Sequence, residues 1–334
     1  MARRAVVTGS AGFIGFHLGR RLLSDGWQVT GIDAMTPYYD VALKARRHDM
    51  LADMPGFTRI EARVDEPGVM AELLAEMQPE AVVHLAAQAG VRHSIDAPRS
   101  YVEANLLGTF EVLEAARATP PAHLLIASTS SVYGANTAMP YAERQRADHP
   151  LSFYAATKTA GEAMAHSYAH LYGLPTTLFR FFTVYGPWGR PDMALFKFTR
   201  AILEDQPIDI YNGGQMRRDF TYVDDLVEGI VRLIDHAPGD AAVCADDSLS
   251  PVAPWRVVNI GPGAPVGLMD FVQAIEAALG QKAQKRMLPM QAGDVPATWA
   301  DTRLVEALVG PLPRTEIAEG VRRFVDWYRA YYGT

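Results

Sequence analysis

Short apolar runs alternate with longer amphipathic stretches along the first half of the chain. The runs are rich in β-branched residues, whereas the stretches between them repeat apolar positions at helical spacing. This alternation predicts βαβ units arranged around a parallel sheet, and therefore the α/β class. The predicted strands are residues 5–8, 28–32, 81–85, 124–127 and 176–182. The predicted helices between them are residues 12–24, 68–77, 101–118 and 152–172.

The composition changes after about residue 180, where Pro187, Gly189 and Pro191 interrupt the pattern. Helices are predicted beyond this point at residues 193–204, 224–235, 268–279 and 316–332, and an exposed loop at 237–254. We therefore predict a Rossmann-type domain over residues 1–180 and a smaller α/β lobe over residues 181–334. This division allows some segments after residue 180 to pack as part of the first domain.

A glycine-rich segment joins the first predicted strand to the first helix. It contains three glycines and two apolar residues, namely Gly9, Gly12, Phe13, Ile14 and Gly15. Glycines at this spacing let the backbone approach a pyrophosphate that sits on the helix N terminus. Asp33 ends the second strand about 20 residues on, where a carboxylate binds the adenosine ribose and repels a 2′-phosphate. The pattern predicts a dinucleotide site that prefers NAD over NADP.

Further cofactor contacts are expected at the ends of the following strands. Asp65, after the third strand, is expected near the adenine amino group, and Asn105 and Phe181 are expected to contact the cofactor. A short run closes the fourth strand with small residues over which a cofactor can lie, namely Leu85, Ala86, Ala87 and Gln88. Packing between helix and sheet explains such small residues equally well.

Tyr154 and Lys158 form the strongest catalytic pattern in the chain. They are spaced i and i+4 in the predicted helix 152–172, so both side chains leave the same face. An ammonium beside a phenol favours the phenolate, and we expect Lys158 to lower the tyrosine pKa from its usual value of about 10. A base with such a pKa is suited to removing a hydroxyl proton beside a dinucleotide.

Charge and cysteine content exclude several classes of partner. The net charge is −7 and no basic cluster is present, which argues against a nucleic-acid surface. The one cysteine, Cys244, permits no intrachain disulfide and no cysteine-rich metal site, and it fits a reducing compartment. No apolar run approaches the roughly 18 residues of a membrane span. We expect a cytoplasmic protein that binds neither membrane nor metal.

Four motifs, taken in order, resemble those of the extended short-chain dehydrogenase/reductase family. They are GSAGFIG at 9–15, STSSVYG at 128–134, YAATK at 154–158 and RFFTVYGP at 180–187. Longer strings at 87–92, 186–194 and 217–222 are similar to those of the UDP-glucuronate 4-epimerases within that family. The resemblance covers nearly the whole chain.

The resemblance implies a doubly wound, seven-stranded parallel Rossmann sheet that binds NAD, with a UDP-sugar between it and the C-terminal lobe. It implies Tyr154 as the base, Lys158 on the nicotinamide ribose, and Thr129 or Ser130 on the C4 hydroxyl. It also implies Arg218 on the diphosphate and Asp294 on the uridine ribose. Gln291 stands where related hexose epimerases often carry an arginine, which puts a second diphosphate contact in doubt.

A uronic acid substrate adds a chemical hazard to C4 epimerisation. Oxidation at C4 gives a β-keto acid, which loses CO₂ unless its carboxylate is held out of alignment with the carbonyl. We expect the hydroxyls of Ser130, Ser131 and Thr183 to hold it, with Arg190 or Arg92 supplying charge. Hydroxyls grip less tightly than a guanidinium, which suits a group that is released when the sugar turns.

Several alternative functions remain open at this point. The dehydratases of the family resemble one another in an Asp-Glu pair after the threonine, where this chain has Ser130 and Ser131. The UDP-glucuronate decarboxylases usually carry a glutamate where Ser131 stands. Both activities are therefore disfavoured. The main alternative is a UDP-glucose or UDP-N-acetylhexosamine 4-epimerase. A dinucleotide-binding redox sensor is a different class, disfavoured by the complete Tyr154, Lys158 and Thr129 set. Outward apolar residues on helices 101–118 and 152–172 predict a homodimer.

Overall fold

The computed structural model describes residues 2–291 and 293–334, and most of its strands are short and buried. In chain order they are β1 (Arg4–Thr8), β2 (Gln28–Asp33), β3 (Phe57–Glu61), β4 (Ala81–His84), β5 (His123–Thr129), β6 (Thr176–Phe181), β7 (Thr183–Tyr185), β8 (Ile208–Tyr211), β9 (Arg217–Arg218), β10 (Phe220–Tyr222), β11 (Trp255–Ile260), β12 (Val266–Gly267), β13 (Lys285–Leu288) and β14 (Ala297–Thr298).

Helices lie on both faces of the main sheet and in the C-terminal part. In chain order they are α1 (Phe13–Ser24), α2 (Val41–Ala52), α3 (Val69–Met77), α4 (His93–Asp96), α5 (Pro98–Tyr101), α6 (Gly108–Ala118), α7 (Phe153–Tyr172), α8 (Ala194–Leu203), α9 (Val223–Ile234), α10 (Leu268–Leu279), α11 (Arg303–Val309) and α12 (Ile317–Tyr332). A π-helical segment, Val102–Leu107, leads into α6. No helix of the described residues has both the length and the apolar character to span a membrane.

The main sheet has seven parallel strands in the order β11-β6-β5-β4-β1-β2-β3. Successive side chains of a strand point to opposite faces, and β1 shows the result. Ala5 and Val7 pack in one apolar core with α1, α9 and α11, while Val6 packs in another with α3, α6 and α7. The predicted doubly wound Rossmann sheet is therefore confirmed.

The C-terminal half of the chain contributes to both parts of the molecule. Its strand β11 pairs in register with β6, and the buried faces of α9 and α11 pack on the main sheet. The remaining segments form a separate aromatic core that includes Tyr185, Phe196, Phe271 and Phe324. A single domain boundary near residue 180 thus does not describe the packing, because β11, α9 and α11 belong to the main sheet and its core. The two-domain division remains a prediction in that looser form.

A buried polar network lies under the carboxyl ends of β5 and β6. Arg180 donates from Nε to Glu162 Oε1 at 2.9 Å and from Nη2 to Glu162 Oε2 at 2.6 Å. The Ser128 hydroxyl donates to the same carboxylate, and the Arg180 guanidinium covers the Tyr133 ring at 4.6 Å. Burial raises the pKa of the neighbouring Glu143 to about 7. The network fixes α7 against the strands that lead to the site.

Replacing Arg180 by methionine should strongly destabilise the fold, because it leaves the Glu162 carboxylate buried without its cation. Breaking one side of a buried ion pair costs about 3–5 kcal/mol, and we expect the free energy of unfolding to fall by that amount. Urea denaturation followed by circular dichroism measures it. The control is Arg322→Met, which removes an exposed arginine paired with Glu319 and should leave stability unchanged. Equal losses in the two variants would contradict a special role for the buried pair.

Candidate functional site

The turn between β1 and α1 is so tight that only glycine fits at its three glycine positions. Gly9 has a positive φ of 71°, and a Cβ there would lie 2.9 Å from the Ala86 backbone nitrogen. A Cβ on Gly12 would lie 2.9 Å from the Gly9 carbonyl oxygen, and a Cβ on Gly15 would overlap that same oxygen. Gly12 also precedes α1 without a side chain to cap its first amides. This cradle fits a dinucleotide phosphate.

Asp33 is fixed at the rim of the glycine-rich turn. Its Oδ2 accepts a hydrogen bond from the backbone N–H of Ala11 at 3.1 Å, and its Oδ1 accepts one from Met35 at 2.8 Å. Lys44 Nζ lies 3.9 Å from the same carboxylate. Asp65, which follows β3, pairs with Arg63 at 2.7 Å. Both carboxylates line one cavity with the glycine-rich turn, on the side where the sequence predicts the adenosine.

A cavity of about 280 Å³ extends from this turn across the carboxyl ends of the strands. It brings together nearly all the predicted cofactor residues, namely Gly9, Gly12, Phe13, Ile14, Gly15, Asp33, Asp65, Leu85, Ala86, Ala87, Gln88, Tyr154, Lys158 and Phe181. These residues lie on α1 and α7 and at or just beyond the carboxyl ends of β1, β2, β3, β4 and β6, which meet only in the fold. The arrangement has the shape expected for an extended dinucleotide.

Asn105 differs from this prediction, because it lies beneath the cavity wall rather than in it. Its Oδ1 accepts from the Gln88 backbone N–H at 2.8 Å, and its Nδ2 donates to the Gln88 carbonyl at 3.1 Å and to Thr157 Oγ1 at 3.0 Å. The side chain is only 2% exposed. Asn105 therefore shapes the turn after β4 and does not line the cavity itself.

A second cavity, of about 850 Å³, adjoins the first. It is lined by all the predicted substrate residues, namely Arg92, Thr129, Ser130, Ser131, Thr183, Arg190, Arg218 and Asp294. Thr129, Tyr154 and Arg190 line both cavities and so stand where the two meet. A group transferred between two bound molecules would have to pass this junction.

The structure contradicts the expected effect of Lys158 on Tyr154. Burial raises the pKa of Tyr154 above its usual value, while the Thr129 hydroxyl and the Arg190 guanidinium act to lower it. Lys158 Nζ instead donates to the Ala127 carbonyl oxygen at 2.9 Å. Burial lowers the pKa of Lys158 to about 8, against the opposing effect of Glu162. The groups that favour the phenolate here are thus Thr129 and Arg190.

The hydroxyl residues at the end of β5 form a tight turn. The Ser131 backbone N–H donates to Thr129 Oγ1 at 3.2 Å, and Thr129 Oγ1 donates to Ser131 Oγ at 3.3 Å. Ser130 opens the 3-10 turn that follows, and Thr183, which begins β7, lines the same cavity. Neutral hydroxyls from two strand ends therefore converge on one space.

Two of the predicted arginines, Arg190 and Arg218, form ion pairs with aspartates. Arg190 donates from Nε to Asp192 Oδ1 at 3.0 Å and from Nη2 to Oδ2 at 2.5 Å, and the Tyr38 hydroxyl donates to the same Oδ2 at 3.1 Å. Arg218 Nη2 donates to Asp294 Oδ1 at 2.6 Å. These two ion pairs keep the guanidinium groups oriented within the second cavity.

Arg92 and several residues that the sequence interpretation missed complete the cavity walls. Arg92 is exposed, and its guanidinium lies 5.0 Å from the centre of the Tyr211 ring. Missed lining residues are Tyr38, Tyr39, Lys44, Asp192 and Lys197. The first three precede or belong to α2, an element with no clear apolar period, so no pattern marks them.

Comparison with known proteins places the chain among sugar-nucleotide enzymes. The pattern of the NAD dependent epimerase/dehydratase family matches residues 5–245. A probable UDP-glucuronate 4-epimerase of Rhizobium meliloti (strain 1021) is 56% identical over 333 residues, which are 98% of both chains. Protein CapI of Staphylococcus aureus is 50% identical, over 98% of this chain and 99% of its own.

A solved structure is similar over nearly the same length. The UDP-glucuronic acid 4-epimerase of Bacillus cereus, in complex with UDP-glucuronic acid and NAD, superposes with a TM-score of 0.88 at 31% identity. The match covers 98% of this chain and 100% of that one. The glycine cradle, the Tyr154 and Lys158 pair and these matches agree, and we conclude that the chain belongs to the NAD dependent epimerase/dehydratase family.

Proposed function

We propose that this chain interconverts UDP-glucuronic acid and UDP-galacturonic acid at C4, with NAD as its resident cofactor. The observation that carries the proposal is the junction of the two cavities, where Tyr154 and Thr129 face both a dinucleotide cradle and a space lined by hydroxyls and arginines. The named activities of the Rhizobium meliloti and Bacillus cereus proteins support the substrate class.

The residues around the first cavity fit NAD. The glycine turn would hold its pyrophosphate, Asp33 its adenosine ribose and Lys158 its nicotinamide ribose. The carboxylate of Asp33, which already accepts two backbone hydrogen bonds, disfavours the 2′-phosphate of NADP. The chemistry that bound NAD supplies is reversible acceptance of the C4 hydrogen with its electron pair.

Tyr154 supplies the proton transfer. Its phenol takes the proton of the C4 hydroxyl in one direction and returns it in the other, and the Thr129 hydroxyl orients the same sugar oxygen. Because burial raises the pKa of Tyr154, the phenolate depends on the neighbours that act to lower it, Thr129 and Arg190. Because the base is fixed at the cavity junction, the sugar has to turn within the second cavity to present its other face.

The second cavity protects the substrate carboxylate during the reaction. We place the carboxylate among the hydroxyls of Ser130, Ser131 and Thr183, with Arg190 nearby as the positive charge. Arg218 would meet the diphosphate and Asp294 the uridine ribose. Ser131 supplies no acid, which disfavours decarboxylation, whereas an epimerase for neutral UDP-sugars would not need a charged residue in the place of Arg190.

We also propose that the chain forms a homodimer and works in the cytoplasm. Large apolar side chains are exposed on the neighbouring helices α6 and α7 and just before or after them, namely Leu107, Phe110, Phe153, Leu171 and Tyr172. Several large apolar side chains exposed on neighbouring helices are typical of an interface between subunits. The lone Cys244 is compatible with a reducing compartment.

The purified protein should convert UDP-glucuronic acid into UDP-galacturonic acid without added NAD, because the cofactor is neither consumed nor released in the cycle. Chromatographic separation of the UDP-sugars measures the conversion. UDP-glucose and UDP-N-acetylglucosamine, offered in parallel, are expected to react far more slowly. Faster conversion of a neutral UDP-sugar would replace the proposed substrate with that alternative.

Replacing Tyr154 by phenylalanine should lower kcat by about 10²- to 10⁴-fold, the usual contribution of a general base, while leaving KM little changed. The matched control is Tyr168→Phe on the same helix, whose hydroxyl contacts Glu114 far from the cavities. Steady-state rates of both variants test the assignment. A Tyr154 variant with the rate of the wild type would remove the phenol from the mechanism.

Replacing Ser131 by glutamate should divert part of the product from UDP-galacturonic acid to a UDP-pentose. The added carboxyl displaces the substrate carboxylate from its hydroxyl contacts and supplies an acid beside the 4-keto sugar. Ser131→Gln is the control, since it has nearly the same size without an ionisable group. Mass spectrometry of the products gives the partition, and an unchanged partition in the glutamate variant would argue against this role for Ser131.

A further inference from the structure

Arg47 joins the glycine-rich turn to the loop formed by residues 187–192, which we call the 187–192 loop. It lies on α2 and is fully buried. Its Nη1 donates to the Ala11 carbonyl oxygen at 3.1 Å and to the Tyr39 hydroxyl at 2.9 Å. Its Nη2 donates to the Trp188 carbonyl oxygen at 2.6 Å and to that of Gly189 at 3.3 Å. One guanidinium therefore holds backbone from both sides of the site.

All the partners of Arg47 in the described residues are carbonyls or a phenol, and none is a carboxylate. An exposed arginine gains little from carbonyl contacts, whereas a buried guanidinium needs several well-placed acceptors. Its planar fork suits acceptors that lie in different segments, which a lysine ammonium cannot reach together. The position thus requires an arginine for geometry and not for charge alone.

The 187–192 loop is held to the first part of the molecule at three consecutive carbonyls. His17, on α1, contacts the Pro187 carbonyl oxygen through Nε2 at 2.9 Å, and Arg47 donates to the next two carbonyl oxygens along the loop. Trp188 has a φ of +60°, a left-handed conformation that costs energy in a residue with a side chain. A Cβ on Gly189 would lie 2.9 Å from the Gly186 carbonyl oxygen. External contacts therefore maintain an unfavourable backbone.

This backbone leads directly into the charged cluster of the second cavity. Arg190 follows Gly189 and pairs with Asp192, and Tyr38 donates to Asp192 at 3.1 Å. Tyr38 in turn precedes Tyr39, which Arg47 also holds. Arg47 therefore supports the Arg190 cluster from both sides without lining either cavity.

We propose that Arg47 is a positioning residue. It fixes the orientation of Arg190 toward the substrate carboxylate and couples that orientation to the position of the glycine-rich turn. The proposal rests on the proposed function, since it takes a UDP-uronic acid as the ligand. Arg47 touches neither ligand in this account. It determines the preference for a uronic over a neutral sugar by fixing the 187–192 loop.

The test compares the affinities of two ligands in Arg47→Lys and in a matched control. The control is Arg256→Lys. Arg256 is also a buried arginine; it lies on β11, lines neither cavity and pairs with Asp247 at 2.8 Å. Each substitution is made in a Tyr154→Phe background, so that calorimetry on NAD-loaded protein measures binding without turnover. In Arg47→Lys we expect the affinity for UDP-glucuronic acid relative to UDP-glucose to fall about tenfold. In Arg256→Lys it should stay as in the background protein.

A second readout uses the active protein. With Tyr154 present, Arg47→Lys should release more UDP-pentose from UDP-glucuronic acid, because the carboxylate is less well held, whereas Arg256→Lys should not. Should Arg47→Lys fail to fold, Tyr39→Phe removes one acceptor of the guanidinium and should shift the ligand preference in the same direction by a smaller factor.

The outcomes separate this proposal from the proposed function. Unchanged preference and unchanged product partition in the folded Arg47 variant, or in Tyr39→Phe, would overturn the positioning role. Equal losses for both UDP-sugars would overturn it as well, because a general structural defect has no sugar preference. If the Tyr154→Phe protein itself shows no preference for the uronic sugar and the wild type does not epimerise it, the proposed function fails instead.

Discussion

The ion pair between Glu162 and Arg180 is the interaction on which the arrangement of the site depends. Glu162 lies one helical turn beyond Lys158 on α7, and Arg180 lies near the carboxyl end of β6. Each is buried and each is the main compensation for the charge of the other, so neither element can shift without exposing an unpaired ion. The pair therefore fixes the helix that carries Tyr154 relative to the strand that leads to Thr183.

Regular spacing made most of the fold predictable from the sequence. The helix at α7 and the first strands of the sheet follow the expected periods closely, and α10 has the predicted bounds. The sequence pattern does not predict α2, because its buried face carries the polar residues Lys44, Arg47 and His48, which obscure its apolar period. The pairing of β11 with β6 is not predictable from local patterns, because more than 70 residues separate the two strands.

The residues of the candidate site were largely predictable, whereas their electrostatics were not. Short motifs located the glycine turn, Tyr154 and the hydroxyl residues, because each motif is local in the sequence. The pKa of Tyr154 depends on how much water the fold removes, and that burial outweighs its favourable neighbours. The role of Asn105 is equally hidden in the sequence, since only the folded chain shows that its side-chain amide is hydrogen-bonded to Gln88 and Thr157.

The pairing of Arg190 with Asp192 and of Arg218 with Asp294 has a consequence for substrate recognition. With the residue roles proposed above, the diphosphate and the carboxylate of a UDP-uronic acid would compete with Asp294 and Asp192 for the guanidinium groups of Arg218 and Arg190. In that arrangement the competition would weaken binding of the carboxylate, and the aspartates would hold the cations in place when no substrate is bound. A sugar that must turn over within the cleft needs this compromise, because a carboxylate bound as tightly as in an isolated bidentate pair would not be released to present its other face.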